Sequence, residues 1–234
     1  MSSTHSRRTL LGAGGAAAFA ASLPLGAPAR AQAAGFVDPT SDDALAMLRE
    51  GNRAFVAGEP ARPEIGPERR AALAEGQSPF AVVLSCSDSR VPPEVLFGMG
   101  LGEIFVIRNA GNTLGVAALG SIEYGVAVLG APLVVVLGHE SCGAVKAAVD
   151  VVEQNATFPG DIGEMIQPII PAVLEAQGGG GDLLDRSVRA NVDRVAAQLR
   201  GEPLIAEAIA EGRTRVVGAR YDLDEGRVEF FDAE

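Results

Sequence analysis

The chain contains no tryptophan, two cysteines, two histidines and two tyrosines in 234 residues, and each scarcity closes off a class of protein. Two cysteines permit at most one disulfide, so no framework of several bridges can stand in for a hydrophobic core. Lysine and arginine number 19 against 30 aspartates and glutamates, a formal charge of −11. That balance argues against nucleic acid as a partner, because phosphate binding needs a basic face. No basic amphipathic helix suggests a membrane surface, no segment repeats, and QGGGGD from Gln177 is the one low-complexity stretch beyond the N-terminal region. What is present reads as globular, with 47% hydrophobic and 21% charged residues and enough chain to bury a substantial core.

The N-terminal residues are a different material. Arg7 and Arg8 precede an Ala/Gly/Leu run that ends on the small-residue pattern Ala29-Arg30-Ala31. Charge, then apolar run, then small residues is the order of an export signal. The paired arginines followed by Leu10-Leu11 resemble a twin-arginine signal, which carries folded proteins out of the cytoplasm. The competing reading is a membrane anchor, but the glycines, alanines and two prolines of residues 9–29 make a weakly hydrophobic span. The expectation is a signal over residues 1–31 that is cleaved, a single domain over 32–234, a periplasmic or extracellular destination and no stable membrane association afterwards. Cleavage after Ala31 removes three arginines and no acid, taking the formal charge from −11 to −14.

Beyond the signal, SDDALAMLREGNRAFVAG has helical apolar spacing with Ser41 as N-cap and Gly58 as its stop. PERRAALAEG is a short helix. Apolar strands are expected at Phe80–Ser85, Ile104–Arg108 and Leu133–Leu137, with helices over GVAALGSIEYGVAVLG and CGAVKAAVDVV between and after them. GEMIQPIIPAVLEA, RSVRANVDRVAAQL and EPLIAEAIAEG read as three further helices. TRVVGARYDL and RVEFFD read as strands joined by a hairpin turn at Asp224-Glu225-Gly226. Unbroken apolar strands alternating with helices predict an α/β fold with a mostly parallel central β-sheet flanked by helices.

On that scaffold Cys86, in CSDSR, and the pair His139 and Cys142, in GHESCG, fall at the carboxyl ends of two parallel strands. That edge of an open α/β sheet is where ligands bind. Cys86, His139 and Cys142 form a Cys2His set, the donor complement of a catalytic zinc site with one open position. His5 is the other histidine and lies in the signal, so a closed four-ligand site would need a carboxylate. The helix that begins after Cys142 favours its thiolate. Two other readings stay open at this point: a Cys86–Cys142 disulfide, suited to an oxidising compartment, and inert core residues.

These stretches resemble the β-class carbonic anhydrases. CSDSR at 86–90 and GHESCG at 138–143 match that family's zinc motifs, and RNAGN at 108–112, SIEYG at 121–125 and VVGARYDLDEGRV at 216–228 fall where the family has them. The resemblance runs from Ser41 to the end of the chain. It implies that Cys86, His139 and Cys142 hold one Zn2+ per chain. It implies that Asp88 and Arg90 are the family's dyad, the arginine keeping the aspartate off the metal. Gln77 matches the residue that hydrogen-bonds substrate in the plant-like, open-site branch, and Phe105, Ala110 and Tyr124 fall where that branch lines its carbon dioxide pocket. The same resemblance implies a homodimer or tetramer with the site at the dimer interface, Gln77, Phe105 and Tyr124 being given to it by the neighbouring subunit. The branch with a closed zinc and a bicarbonate-regulated site has tryptophan three residues before the first cysteine. Here that residue is Val83, which implies the open-site type.

The implied activity is zinc-dependent reversible hydration of carbon dioxide to bicarbonate and a proton. Asp88, ionised and paired with Arg90, is expected to accept the hydrogen of the attacking hydroxide. A bidentate pairing of that kind is open to arginine and closed to lysine. Phe105 and Ala110 would give a small linear substrate apolar walls, and Gln77 one donor. No histidine is left over to carry protons out. The nearest enzymatic rival uses the same site on carbonyl sulfide or carbon disulfide; the rival of another class is a non-catalytic exported protein that binds zinc or carries a disulfide.

Overall fold

The structure is a computed structural model and describes residues 39–60 and 63–231. The export signal expected over residues 1–31 lies outside the described residues. The helices are α1 Ser41–Val56, α2 Pro67–Ala74, α3 Pro93–Leu96, α4 Val116–Ala127, α5 Gly143–Gln154, α6 Ile162–Ile166, α7 Ile170–Ala176, α8 Leu183–Gly201 and α9 Pro203–Ala210. The strands are β1 Ala81–Cys86, β2 Ile104–Asn109, β3 Leu133–His139, β4 Arg215–Tyr221 and β5 Val228–Phe231.

The five strands make one sheet in the order β2-β1-β3-β4-β5. β1 to β4 run parallel and β5 closes the edge antiparallel to β4, which is the α/β architecture expected from the sequence. β1 and β3 are buried along their whole length, as central strands covered on both faces must be. Their side chains divide by the period of two. Val83, Val135 and Val217 face Ala44, Leu45 and Leu48 of α1 and Phe97 after α3. Val82, Leu84, Val134 and Val136 face Ile122 of α4, Val195 of α8 and Ile205 of α9.

Two departures from the expected elements have local causes. The cap of α1 is Thr40, not Ser41: the Thr40 hydroxyl accepts from the Asp43 amide at 3.2 Å, and the Asp43 carboxylate accepts from the Thr40 amide at 3.0 Å. That reciprocal capping box satisfies two groups and outcompetes a lone serine. The stretch expected as one helix over 163–176 is broken into α6, a 3-10 turn at Gln167–Ile169 and α7. Pro168 and Pro171 cannot donate the amide hydrogens a continuous helix needs. The short α3 and the 3-10 turn Ala110–Asn112 have no periodicity from which they could be foreseen.

Two glycines set how closely α8 approaches the sheet. A Cβ at Gly138 of β3 would stand 2.5 Å from Val192 Cγ2, and one at Gly218 of β4 would stand 2.8 Å from Val192 Cγ1. The helix therefore lies directly on the backbones of β3 and β4.

On the other face, buried Asn52 ties α1 to the chain on both sides of it. Its Nδ2 donates to Leu96 O at 3.2 Å and Gly226 O at 3.0 Å, and its Oδ1 accepts from Val228 N at 2.8 Å. Asn52→Leu keeps the volume and leaves three backbone groups unpartnered, so it should destabilise the fold by about 2–4 kcal/mol. Denaturant unfolding checks this, and an unchanged midpoint would show that Asn52 is not a tether.

Candidate metal centre

The strand order identifies where a ligand should sit. β1 leads to β2 on one side, while β3 lies on the other, so the carboxyl ends of β1 and β3 flank the point where the sheet reverses direction. A crevice opens there in folds of this kind. Cys86 is the last residue of β1 and His139 the last of β3. Parallel pairing sets Ser85 opposite Leu137, which carries both side chains to the same end of the sheet. After β3 the chain turns through Ser141, whose φ of +53° is left-handed, a conformation that costs energy outside glycine. That turn returns Cys142 to the crevice as the N-cap of α5.

One donor atom from each of Cys86, His139 and Cys142 lies within 4.8 Å of the others, and all three residues are buried. The two sulfurs are 3.9 Å apart and both cysteines are free, so the disulfide reading does not describe this structure. Two thiolates on one tetrahedral zinc, each ~2.3 Å from it, stand ~3.8 Å apart. The sulfurs are already at that separation. His139 supplies the clearest sign of a missing partner. Its Nδ1 lies 2.8 Å from Glu140 O, which can only accept, so the proton sits on Nδ1 and the Nε2 lone pair is bare. Nε2 is buried and has no hydrogen-bond partner among the described residues. A buried unpaired acceptor costs about 1–3 kcal/mol, and a metal ion in the cluster removes that cost. The donors fit zinc.

The charge state of the pair follows from their contact. The contact with Cys142 holds the Cys86 thiol below its ordinary pKa, helped by the amides of Gly111 and Asp88 and opposed by burial. Cys142 is pushed up, first by that same contact and then by burial, while the amides of Ala144 and Val145 at the start of α5 work the other way. A metal ion held here would take both sulfurs as thiolates.

Asp88 follows two residues after Cys86 and does not join the cluster. Arg90 holds it through two parallel hydrogen bonds, Nε to Oδ1 at 2.9 Å and Nη2 to Oδ2 at 2.7 Å, and the Arg90 amide adds a third to Oδ1 at 3.0 Å. The guanidinium holds the carboxyl well below the usual range. Oδ2 is 3.9 Å from His139 Nε2, which places an ionised acceptor at the rim of the centre.

The other expected site residues are placed unevenly. Ala110 opens the 3-10 turn that follows β2, the turn whose Gly111 amide donates to Cys86 Sγ at 3.3 Å. Phe105 and Tyr124 pair with ring centroids 6.3 Å apart. Gln77 lines a separate cleft with Arg70, Leu73 and Leu101, and no residue of the cluster lines it. Sequence reading gave no role to Arg108. Its Nε donates to Cys86 O at 2.9 Å and its Nη2 to Asp88 O at 2.6 Å, clamping the loop that carries both residues. The charge at the end of an otherwise apolar strand was the available signal.

Comparison with known proteins gives the same assignment. The family profile described as "Carbonic anhydrase" matches residues 81–228. The chain is 44% identical to a "Carbonic anhydrase" of Mycolicibacterium smegmatis over 183 residues, covering 78% of this chain and 89% of that protein. It is 43% identical to "Carbonic anhydrase 2" of Mycobacterium tuberculosis over 186 residues, 79% and 90% of the two chains. Among solved structures it superposes with TM-score 0.65 and 29% identity on one of two tetrameric β-carbonic anhydrases from Sordaria macrospora, covering 72% of this chain and 88% of that one.

The 3.9 Å sulfur separation yields a prediction. Metal-stripped protein treated with oxidised glutathione should lose both free thiols to a Cys86–Cys142 bridge, whereas zinc-loaded protein should keep them. Thiol titration before and after zinc loading checks this, and equal loss in both forms would show that the sulfurs do not share a metal.

Proposed function

This chain belongs to the β-class carbonic anhydrases, and from that premise we propose that it hydrates carbon dioxide reversibly to bicarbonate and a proton at a zinc ion held by Cys86, His139 and Cys142. The observation that carries this is the bare, buried Nε2 of His139 facing two sulfurs at tetrahedral spacing. Zinc, when bound, lowers the pKa of water enough for hydroxide to form near neutral pH, ~7 in the general example of a three-histidine carbonic anhydrase. The protein's own residues do the rest. His139 Nδ1 donates to Glu140 O and so fixes the ring with Nε2 towards the sulfurs. Asp88 Oδ2 accepts the hydrogen of the attacking oxygen and turns a lone pair towards carbon. It can do so because Arg90 keeps the carboxylate ionised and turned aside. That restraint also supports the open-site form, since an aspartate held by three hydrogen bonds from Arg90 is not free to take the fourth position.

We propose further that a second copy of the chain completes the pocket. β2 is an edge strand of partial burial, and α4 beside it exposes Val116 at 91% and Tyr124 at 47%. Large apolar groups exposed next to a half-covered strand mark an interaction face. Gln77 lines a cleft apart from its own chain's metal cluster, which supports its donation to a neighbour, with Phe105 and Tyr124 at the same boundary. Export rests on the sequence of residues 1–31 and is tested by N-terminal sequencing of protein recovered outside the cytoplasm.

Stopped-flow hydration kinetics with zinc content measured in the same samples test the reaction. Asp88→Asn should keep one zinc per chain and lose about 100-fold in rate, the scale of a misplaced reacting group; a zinc-loaded variant at full rate would refute the role given to Asp88. Wild-type protein holding zinc without hydrating carbon dioxide would refute the enzyme. Val116→Asp should shift the assembly towards monomer in light scattering and lower the rate with it. An unchanged mass would place the subunit contact elsewhere.

A further inference from the structure

Asn191 sits in the middle of α8, 2% exposed, and its Nδ2 donates to Gly111 O at 2.9 Å across 80 positions of sequence. Gly111 in turn donates its amide to Cys86 Sγ at 3.3 Å. We propose that Asn191 is a positioning residue for the metal-binding thiolate of Cys86, acting through Gly111. The inference rests on the zinc reading above and deepens it.

The 3-10 turn that carries Gly111 does not hold its own shape. Gly111 has φ +76° and Asn112 φ +42°, two successive left-handed residues, of which the second is not a glycine and is 1% exposed. Chains adopt such pairs only where the surroundings enforce them. The flank is bracketed by Asn109, which accepts from Thr113 N at 2.8 Å and donates to Thr113 O at 2.8 Å. That bracket shapes the turn but does not aim it. Its aim comes from α8, through the buried Asn191 amide that donates to the Gly111 carbonyl. α8 can present Asn191 there because Gly138 and Gly218 let it rest on the sheet. A Cβ on Gly111 would meet Ile169 Cδ1 at 2.6 Å, so the turn also packs closely against Ile169. An N–H donated to sulfur favours the thiolate over the thiol and withdraws charge from a metal–sulfur bond. Partners one step removed from a metal typically change its affinity by about 10- to 100-fold when lost.

The test compares full-length wild type with Asn191→Leu, which keeps volume and loses the donor, and Asn191→Asp, which sets a carboxylate against the Gly111 carbonyl. In either folded variant the zinc dissociation constant, measured by competition with a chromophoric chelator, should rise about 10- to 100-fold. The sulfur-to-metal charge-transfer band of the cobalt-substituted protein should shift as well. A purely structural asparagine would lower thermal stability and leave both readouts where they are, which would overturn the proposal. Should neither variant fold, wild-type protein loaded with a spin-active cadmium isotope decides by nuclear magnetic resonance. A scalar coupling between the metal and the Gly111 amide proton is expected, and its absence would overturn the proposal. Wild-type protein that binds no zinc would instead bring down the zinc reading itself.

Discussion

Parallel pairing of β1 with β3 sets Ser85 against Leu137, and the metal-binding centre follows from what stands just beyond that pair. Cys86 and His139 close their strands at the same end of the sheet, so no flexible loop has to bring them together. A slip of one residue would turn Val82 and Leu84 out of one apolar layer and Val83 out of the other. Register in a strand buried on both faces is therefore specified by the core itself. The hydrophobic pattern of β1 and β3 thus does two things at once: it stabilises the fold and carries two of the three candidate ligands to the same end of the sheet. Only Cys142 needs a special turn, and the left-handed Ser141 supplies it.

Bringing two sulfurs and an imidazole into a dry setting has a cost that the surroundings must offset. Cys86 and Cys142 pack among Val145, Ile169, Val173 and Val188, where an isolated thiolate would be strongly disfavoured. The compensation comes from backbone amides. Gly111 donates to Cys86, and the Ala144 and Val145 amides at the start of α5 partly oppose the rise in the Cys142 pKa, as the positive end of a helix does for a thiolate.

Much of this was legible in sequence, and what was legible shares one property. Apolar strands, helices of clear period and the Cys-x-Asp-x-Arg and His-x-x-Cys spacings are all encoded within about ten residues, the range over which period and propensity act. The parallel sheet, the donor trio at its carboxyl edge and the Asp88–Arg90 pair could be placed on that basis. What escaped was encoded at longer range. Arg108 clamps carbonyls 20 and 22 residues away, and Asn191 acts across 80; a lone polar residue on a strand end or a helix face carries no spacing to betray its partner. Thr40 and Ser41 can both cap, and only Asp43 reaching back to Thr40 distinguishes them. The prolines that break the segment between α6 and α7 stand in an apolar period that on its own favours one continuous helix.

The Asp88–Arg90 pair shows how a magnitude can assign a role. Arg90 has a side chain 54% exposed, and ion pairs so open to water contribute about 0–1 kcal/mol to stability. Folding therefore does not account for a pairing that uses both carboxylate oxygens and a backbone amide besides. What the three hydrogen bonds do accomplish is to remove freedom from a carboxylate two residues from a metal ligand. An unrestrained aspartate there would be a fourth donor within reach, and four protein donors would make a closed, structural zinc site. Arg90 converts that competitor into a fixed acceptor at the rim. In the open-site form proposed above, the position left for solvent would be a property of the arginine as much as of the three candidate ligands.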